Sequence, residues 1–518
     1  MFHPFHRLRS KTSAFFLSLL IAAPFFMGAA QSPTAAGVAS INMDELRQKL
    51  TYIASDKFKG RGNGSPELSM AAEYIAGVFE KNGLKPAKAG DRYYQSFDMY
   101  TSGLGPANDV IIRGVKPDEW KLKARTDFIP ERWSVSASIS GPMVFLENPT
   151  GTQIDLRGKI AVIPEGQGPA DDPEFPENAA IARTLEAAGA VGVIVLHDPM
   201  DRSTGRITSL AENFRNDLPA RLTAMGTVDS PDYPTVPVVV FASDVARQLL
   251  ATLNNPRLAV DAAITVDVVR KIFRTQNVAG LVEGTDPVLR NEIMIVSAHY
   301  DHDGESNGQI WYGADDDGSG VAALLELAEA FGNGKAKPAR SILLCAWAGE
   351  EKGLLGSRYY VSHPIYPLNQ TVAMFQMDMI GRNEEHSADE PQGVPEEQAS
   401  ENTNTVNIIG SAFSPDLKSI ISRLNDQISL TLRFRYDFRG EDLLRRSDQW
   451  SFLSKGIPAI FFFAGLHPDY HTPRDTAAKI NYPKLERITR LVYLAAFEIA
   501  ANSKHPGYVK PVQPQVQR

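Results

Sequence analysis

The sequence predicts an α/β protein with a mixed, largely parallel central sheet, helices on both faces, and an inserted β-rich module. Two observations carry this expectation. From about residue 277 to residue 501, short apolar runs alternate with helical patterns, the order expected of a sheet covered on both sides. Between about 126 and 267 that alternation gives way to strand-like runs separated by long loops bearing Pro and Asp. At 518 residues the chain exceeds one ordinary domain.

Composition bounds the function classes. With 43% hydrophobic and 22% charged residues, the chain has ample material for a core. A formal net charge of -8 argues against a nucleic-acid surface and offers nothing to an anionic membrane. The single cysteine, Cys345, lies in the apolar run Ile342–Trp347 and reads as buried packing; no disulfide can form within the chain. At the N-terminus, His6, Arg7, Arg9 and Lys11 precede the apolar stretch from Ala14 to Met27 and the small residues Gly28-Ala29-Ala30. This is the layout of a secretory signal peptide over 1–30, with an uncleaved anchor as the alternative, and it places the mature protein outside the cytoplasm, secreted or periplasmic.

Taken in order, Asn42 to Ala54 reads as a helix with Leu46, Leu50 and Ile53 on one side. A polar loop, 55–64, contains Lys59-Gly60-Arg61-Gly62. Ser65 as cap, Pro66 at the first position and Glu67 in the first turn open a second helix that ends at Gly83. In the insertion the strand-like runs are 143–146, 159–163, 193–196 and 238–241, with one helix over 179–188. Beyond Val278 come a strand 293–298, a helix 319–331 stopped by Gly332, a strand 341–347, and a helical stretch 353–360. A strand 372–377, a strand 406–409, a helix 415–424, a strand 457–463 and a closing helix 482–501 follow. The acidic stretch Glu384 to Glu401 reads as a surface loop, with a role as a lid left open, and 504–518 as a disordered tail.

In such sheets function collects where strands end. The strand beginning at Ile293 delivers His299 and Asp301, which share a face because alternate residues of a strand point the same way. The following loop holds Asp315, Asp316 and Asp317. The strand ending at Trp347 leads to Glu350-Glu351, the one ending at Met377 to Asp378, and the one ending at Phe463 to Tyr470-His471. Each is ordinary alone: a turn acid, a solvated Glu pair, a loop histidine. Together they put two imidazoles and several carboxylates at one edge of one sheet, where a bound dication relieves their repulsion. Nitrogen and carboxylate donors suit zinc, and this many donors suit two ions sharing one carboxylate.

These residues reach a known family. Ser-Ala-His299-Tyr-Asp301-His, Gly-Ala-Asp-Asp316-Asp-Gly-Ser-Gly, Trp-Ala-Gly-Glu350-Glu351, Met-Asp378-Met-Ile-Gly and Asp-Tyr470-His471-Thr-Pro resemble the co-catalytic di-zinc aminopeptidases. Their clan includes glutamate carboxypeptidase II, glutaminyl cyclases and the transferrin-receptor ectodomain. The resemblance implies the zinc aminopeptidase fold, a discontinuous catalytic domain over 41–125 and 268–503, and a protease-associated domain over 126–267. It implies two Zn²⁺ ions, one on His299 and Asp378, the other on His471 and Glu351, with Asp316 shared. Asp301 would orient His299, Glu350 would be the general base, and Tyr470 is similar in position to a tyrosine that stabilises the oxyanion. Arg446-Ser447-Asp448-Gln449 departs from the more usual Ser-Asp-His, which removes a histidine but no metal ligand.

The expected function is a secreted zinc aminopeptidase acting on peptides with a free N-terminus. The rival with the same metal core is a carboxypeptidase for acidic C-terminal residues, for which Arg439, Arg445 and Arg446 are candidate contacts, weighed against ordinary surface charge. A glutaminyl cyclase needs one zinc, while this chain keeps both His299 and His471. A silent binding ectodomain would have no use for intact ligands and Glu350. Oligomeric state and the preferred N-terminal residue are not encoded in these motifs.

Overall fold

A computed structural model describes residues 33–87, 92–115, 119–149, 155–165, 177–200, 205–215, 223, 225–227, 233–254, 258–334, 337–386, 397–438 and 443–511. Segment 1–30, expected to be a signal peptide, lies outside the described residues. No helix among the described residues is long and apolar enough to cross a membrane.

The central sheet is built from β1 (Tyr94–Leu104), β2 (Met225–Thr227), β3 (Val268–Val282), β4 (Ile293–His299), β5 (Ser341–Trp347), β6 (Thr371–Met377), β7 (Thr405–Ile409), β8 (Thr431–Arg433) and β9 (Ala459–Phe463). Their order is β8-β7-β9-β6-β4-β5-β3-β1-β2, with the short strand Lys85–Pro86 also pairing with β3. Strands β9, β6, β4 and β5 are mutually parallel, and β7–β8 is a further parallel pair. The β5–β3, β3–β1 and β9–β7 pairs are antiparallel. The sheet is therefore mixed with a parallel centre, as expected.

The parallel centre is apolar on both faces because helices cover both. On one face Met294, Val296 and Ala298 pack with α1 (Met43–Ile53), α2 (Pro66–Lys81), α3 (Gly318–Gly332) and α7 (Tyr482–Ala501). On the other, Ile293, Ile295, Leu343 and Met374 meet α4 (Leu355–Ser362) and α6 (Gln449–Leu453). Capping fixes the helix starts: the side chains of Asn42, Ser65 and Asn481 accept the amides of Glu45, Leu68 and Lys484. The intervening helix α5 (Pro415–Leu424) is capped by Ser414 in the same way. The stretch expected to be helical from 353 begins at Leu355 instead: Gly353 and Leu354 have φ of 104° and 56°, separating a tight turn at Glu350–Lys352 from α4. That turn presents the two glutamates.

The second sheet has eight strands and a hydrophobic core of its own. Two corrections concern it. Strands Asp109–Arg113 and Glu119–Lys123 belong to this sheet, so the chain crosses between Leu104 and Asp109 rather than at 125; Val110 and Ile112 alternate into its core. The chain returns at Val266–Val268. Among the described residues the unit holds three α-helices, Glu177–Ala187, Gly205–Glu212 and Ser243–Leu253, where one was expected, beside its eight strands.

Two further expectations change. Residues 504–511 of the tail lie against the body: the amide of Gly507 donates to Asp416, that of Val509 to the Phe413 carbonyl, and the Tyr508 ring packs on Phe413. The ends of the 384–401 stretch are anchored, not free. Buried Glu384 accepts the Tyr436 hydroxyl at 2.8 Å and pairs with Arg435, while Glu397 accepts from Arg433 and Arg435 at 2.7 and 2.8 Å.

Candidate metal centre

The C-terminal ends of β4, β5, β6 and β9 converge, and the expected site residues meet there. His299 closes β4. Its Nδ1 donates to the backbone carbonyl of Asp301 at 3.2 Å, which leaves Nε2 as the bare nitrogen facing the Asp316, Asp378 and Glu350 carboxylates. The Asp301 carboxylate lies 3.8 Å from that Nδ1, beyond hydrogen-bond reach. It instead accepts the amides of Glu350 and Glu351, at 3.1 and 3.3 Å, and the Asn63 side chain at 2.7 Å. Asp301 thus bears on the glutamate turn, and reaches the His299 ring through its carbonyl.

The three consecutive aspartates part company. Asp315 accepts the Gly381 amide at 2.7 Å and faces His467 at 3.4 Å. Asp317 caps α3 through the Gly320 amide and accepts the His299 amide at 3.1 Å. Only Asp316 turns into the cleft. Its Oδ1 is 3.2 Å from His299 Nε2 and its Oδ2 is 3.1 Å from His471 Nε2. Asp475 fixes this loop, accepting the amides of Asp315 and Asp316 at 2.9 and 3.2 Å.

Two donor groups therefore share Asp316. In one, His299 Nε2 lies 3.5 Å from Asp378 Oδ1; in the other, His471 Nε2 lies 3.1 Å from Glu351 Oε2. Donors around a tetrahedral zinc at ~2.0–2.1 Å stand about 3.3 Å apart. His299 Nε2, His471 Nε2 and Asp378 Oδ1 are buried and lack a hydrogen-bond partner among the described residues. Orphaned donors at this spacing fit metal ions. Glu350, beside Glu351, stays outside both groups, with Oε2 3.8 Å from His299 Nε2.

The electrostatics agree with an excess of negative charge. Burial pushes His471 down, yet the Glu351 and Asp316 carboxylates push it up to about 12. Burial, with Asp378 and Glu351 nearby, pushes the Glu350 carboxyl well above the usual range against the pull of His299. Asp448, buried below and accepting from Gln376, is pushed up to about 7 by burial.

A cleft of about 240 Å³ opens beside the groups. Asp316, Glu350, Glu351, Asp378, Tyr470 and His471 line one side; Met379, Leu443, Phe461, Phe463 and Leu466 make the rest apolar, with exposed Arg446 also lining it. The Tyr470 ring lies 4.0 Å from that of His471, centroid to centroid. Arg445 is turned away, its guanidinium over the Trp450 ring, and Arg439 lies outside the described residues.

Several participants escaped the sequence reading. Ser447 donates to Asp378 Oδ2 at 2.6 Å. His302 contacts Glu351 at 2.6 Å. Arg61, expected in a polar loop, is fully buried and donates to the carbonyls of Ile53, Tyr300, Tyr312 and Gly313, clamping both flanks of the ligand segment. Only the repetition of ligand-type residues around His299 hinted at His302; nothing local marked the others.

Fold and site together define an α/β protein whose parallel strands present two His–carboxylate donor groups joined by one aspartate. Residues 277–496 match the sequence model described as Peptidase family M28. The chain is 29% identical over 370 residues to aminopeptidase YwaD of Bacillus subtilis (strain 168), covering 69% of this chain and 66% of that one. It is 27% identical over 355 residues to an aminopeptidase of Pseudomonas aeruginosa (strain UCBPP-PA14), covering 66% and 57%. The matched part thus spans less than two thirds of these relatives' own lengths. Among solved structures, an aminopeptidase from Aneurinibacillus sp. strain AM-1 aligns over 93% of this chain and 98% of its own, at 20% identity and a TM-score of 0.48.

Proposed function

We propose that the protein is a zinc-dependent aminopeptidase that removes N-terminal residues from peptides outside the cytoplasm, in the periplasm or as a secreted enzyme. The observation that carries the reading is Asp316, one oxygen 3.2 Å from His299 and the other 3.1 Å from His471. His299 and Asp378 would hold one Zn²⁺, His471 and Glu351 the other, with Asp316 common to both. Bound there, the ions supply Lewis acidity, lowering the pKa of water toward neutrality and polarising the scissile carbonyl.

The chain's own groups do the rest. Glu350 is the general base: it takes the proton of the attacking water and returns it to the leaving amine. Standing outside both donor groups, its carboxylate is left free for both transfers. Asp301 holds Glu350 and Glu351 by their amides. Tyr470, at the cleft wall, donates to the developing oxyanion. The apolar wall of Met379, Leu443, Phe461, Phe463 and Leu466 suits an uncharged apolar N-terminal side chain. The names of the matched relatives, both aminopeptidases, support the same reading.

Arg446 supplies the specific argument for a carboxypeptidase, since a guanidinium lining the cleft suits a substrate carboxylate. It is exposed and stands among five apolar residues, so the aminopeptidase reading is preferred. A panel of aminoacyl arylamides, N-blocked arylamides and peptides with acidic C-termini, each with metal-free and zinc-restored protein, tests the choice. Zinc-dependent release from unblocked apolar arylamides is expected. Release only from acidic C-termini reverses the assignment.

A further inference from the structure

His302 has no role in the reading above, yet it is built into the site. Its fully buried imidazole places Nδ1 2.6 Å from Glu351 Oε1, while Glu351 Oε2 is the oxygen 3.1 Å from His471 Nε2. The two oxygens of Glu351 are thus divided between two histidines. Two ligands of one tetrahedral zinc stand about 3.3 Å apart, so 2.6 Å between Nδ1 and Oε1 is too short for shared coordination and right for a hydrogen bond. His302 Nδ1 is also 3.7 Å from Asp316 Oδ2, outside hydrogen-bond range. Its Nε2 has no hydrogen-bond partner among the described residues, so the single N–H of the neutral ring belongs on Nδ1 and is donated to Glu351.

The ring is held in place from outside. The His302 amide donates to the Arg61 carbonyl at 3.1 Å. A Cβ on Gly313 would come within 2.5 Å of the imidazole, so the ring sits where only a glycine leaves room. Arg61 donates to the Gly313 carbonyl at 2.8 Å, closing the frame around the ring.

We propose that His302 is a positioning residue that holds Glu351 by one oxygen, so that Glu351 offers only the other to the ion it shares with His471. The proposal rests on the two-ion reading and concerns one ion of the two. A carboxylate released from this hydrogen bond is free to rotate, and the ion it holds is bound less tightly.

Two polar variants separate donor loss from disruption. His302→Asn keeps an N–H near the position of Nδ1; His302→Gln moves it toward the position of Nε2 and leaves Oε1 unpaired. Each full-length protein is stripped of metal, and zinc binding is titrated against a chromogenic chelator. Wild type and H302N are expected to bind two ions with nearly equal affinities, while H302Q loses about 10–100-fold for one ion and keeps the other. Unchanged affinity for both ions in H302Q overturns the proposal, as does equal weakening in H302N and H302Q. Wild-type protein that binds no zinc overturns the two-ion reading itself, an outcome the variants are not needed to detect.

Discussion

Ser447 donates a 2.6 Å hydrogen bond to the Asp378 oxygen other than the one 3.5 Å from His299. Asp378 follows β6 and Ser447 precedes α6, so two elements far apart in the chain settle the direction of one carboxylate. Ser447→Ala leaves that oxygen unpaired and the carboxylate free to turn. We expect the ion bound by His299 and Asp378 to be held about 10–100-fold more weakly, with its neighbour unchanged. Chelator competition measures it; wild-type affinity for both ions would remove Ser447 from this role.

Glu350 stands outside both donor groups, so its substitution separates chemistry from metal binding. Glu350→Gln keeps the shape and removes the proposed base. Both ions should remain by elemental analysis, while kcat falls about 10²–10⁴-fold. A variant that turns over at the wild-type rate would mean the proton goes elsewhere.

Arg61 satisfies four backbone carbonyls with one buried guanidinium. Arg61→Met leaves all four without their donor, at a cost of about 3 kcal/mol or more in unfolding free energy. Arg61→Lys restores the charge but not the planar fork, and should fall between. Urea midpoints at constant metal content decide this, and a destabilisation below about 1 kcal/mol would show that water replaces the guanidinium.

Asp469 couples stability to acid. Burial raises its carboxyl, but Lys479, Arg474 and Arg382 donate to it and bring it to about 2 from a usual value near 3.8. A pKa depressed in the folded state contributes stability above the unfolded value, lost as pH falls through the folded one. Wild type should therefore exceed Asp469→Asn by about 2 kcal/mol at pH 6, and the gap should close between about pH 4 and pH 2. A gap independent of pH would assign the difference to packing.

The helix starts were legible because their signals are local: Asn42 and Ser65 are caps in sequence and caps in space. The strand ends were legible because a buried parallel strand is apolar until the residue where it leaves the core. Asp315, Asp316 and Asp317 were not separable by any local rule. What distinguishes them is Gly381, His467, His299 and Asp475, brought in from other elements. Arg61 read as loop polarity because its carbonyl acceptors are assembled only by the fold. In the second sheet, Ser243–Leu253 went unread partly because Ala242 supplies no side-chain cap.

The short strand β2 has a consequence for how the molecule is assembled. Met225–Thr227 comes from the inserted segment yet pairs with Met99–Thr101 of β1 in the central sheet, and β1 and β3 run on as a continuous ribbon into the connection between the two sheets. The insertion is therefore no detachable cassette. Cutting it out would strip β1 of its outer neighbour and leave a bare strand edge of the kind that recruits other chains. Melting of the second sheet would tug on the first through two covalent strands and one shared ladder. The two units should lose structure in a single cooperative transition, and a shortened protein joined across 105–267 should aggregate rather than behave as a smaller folded domain.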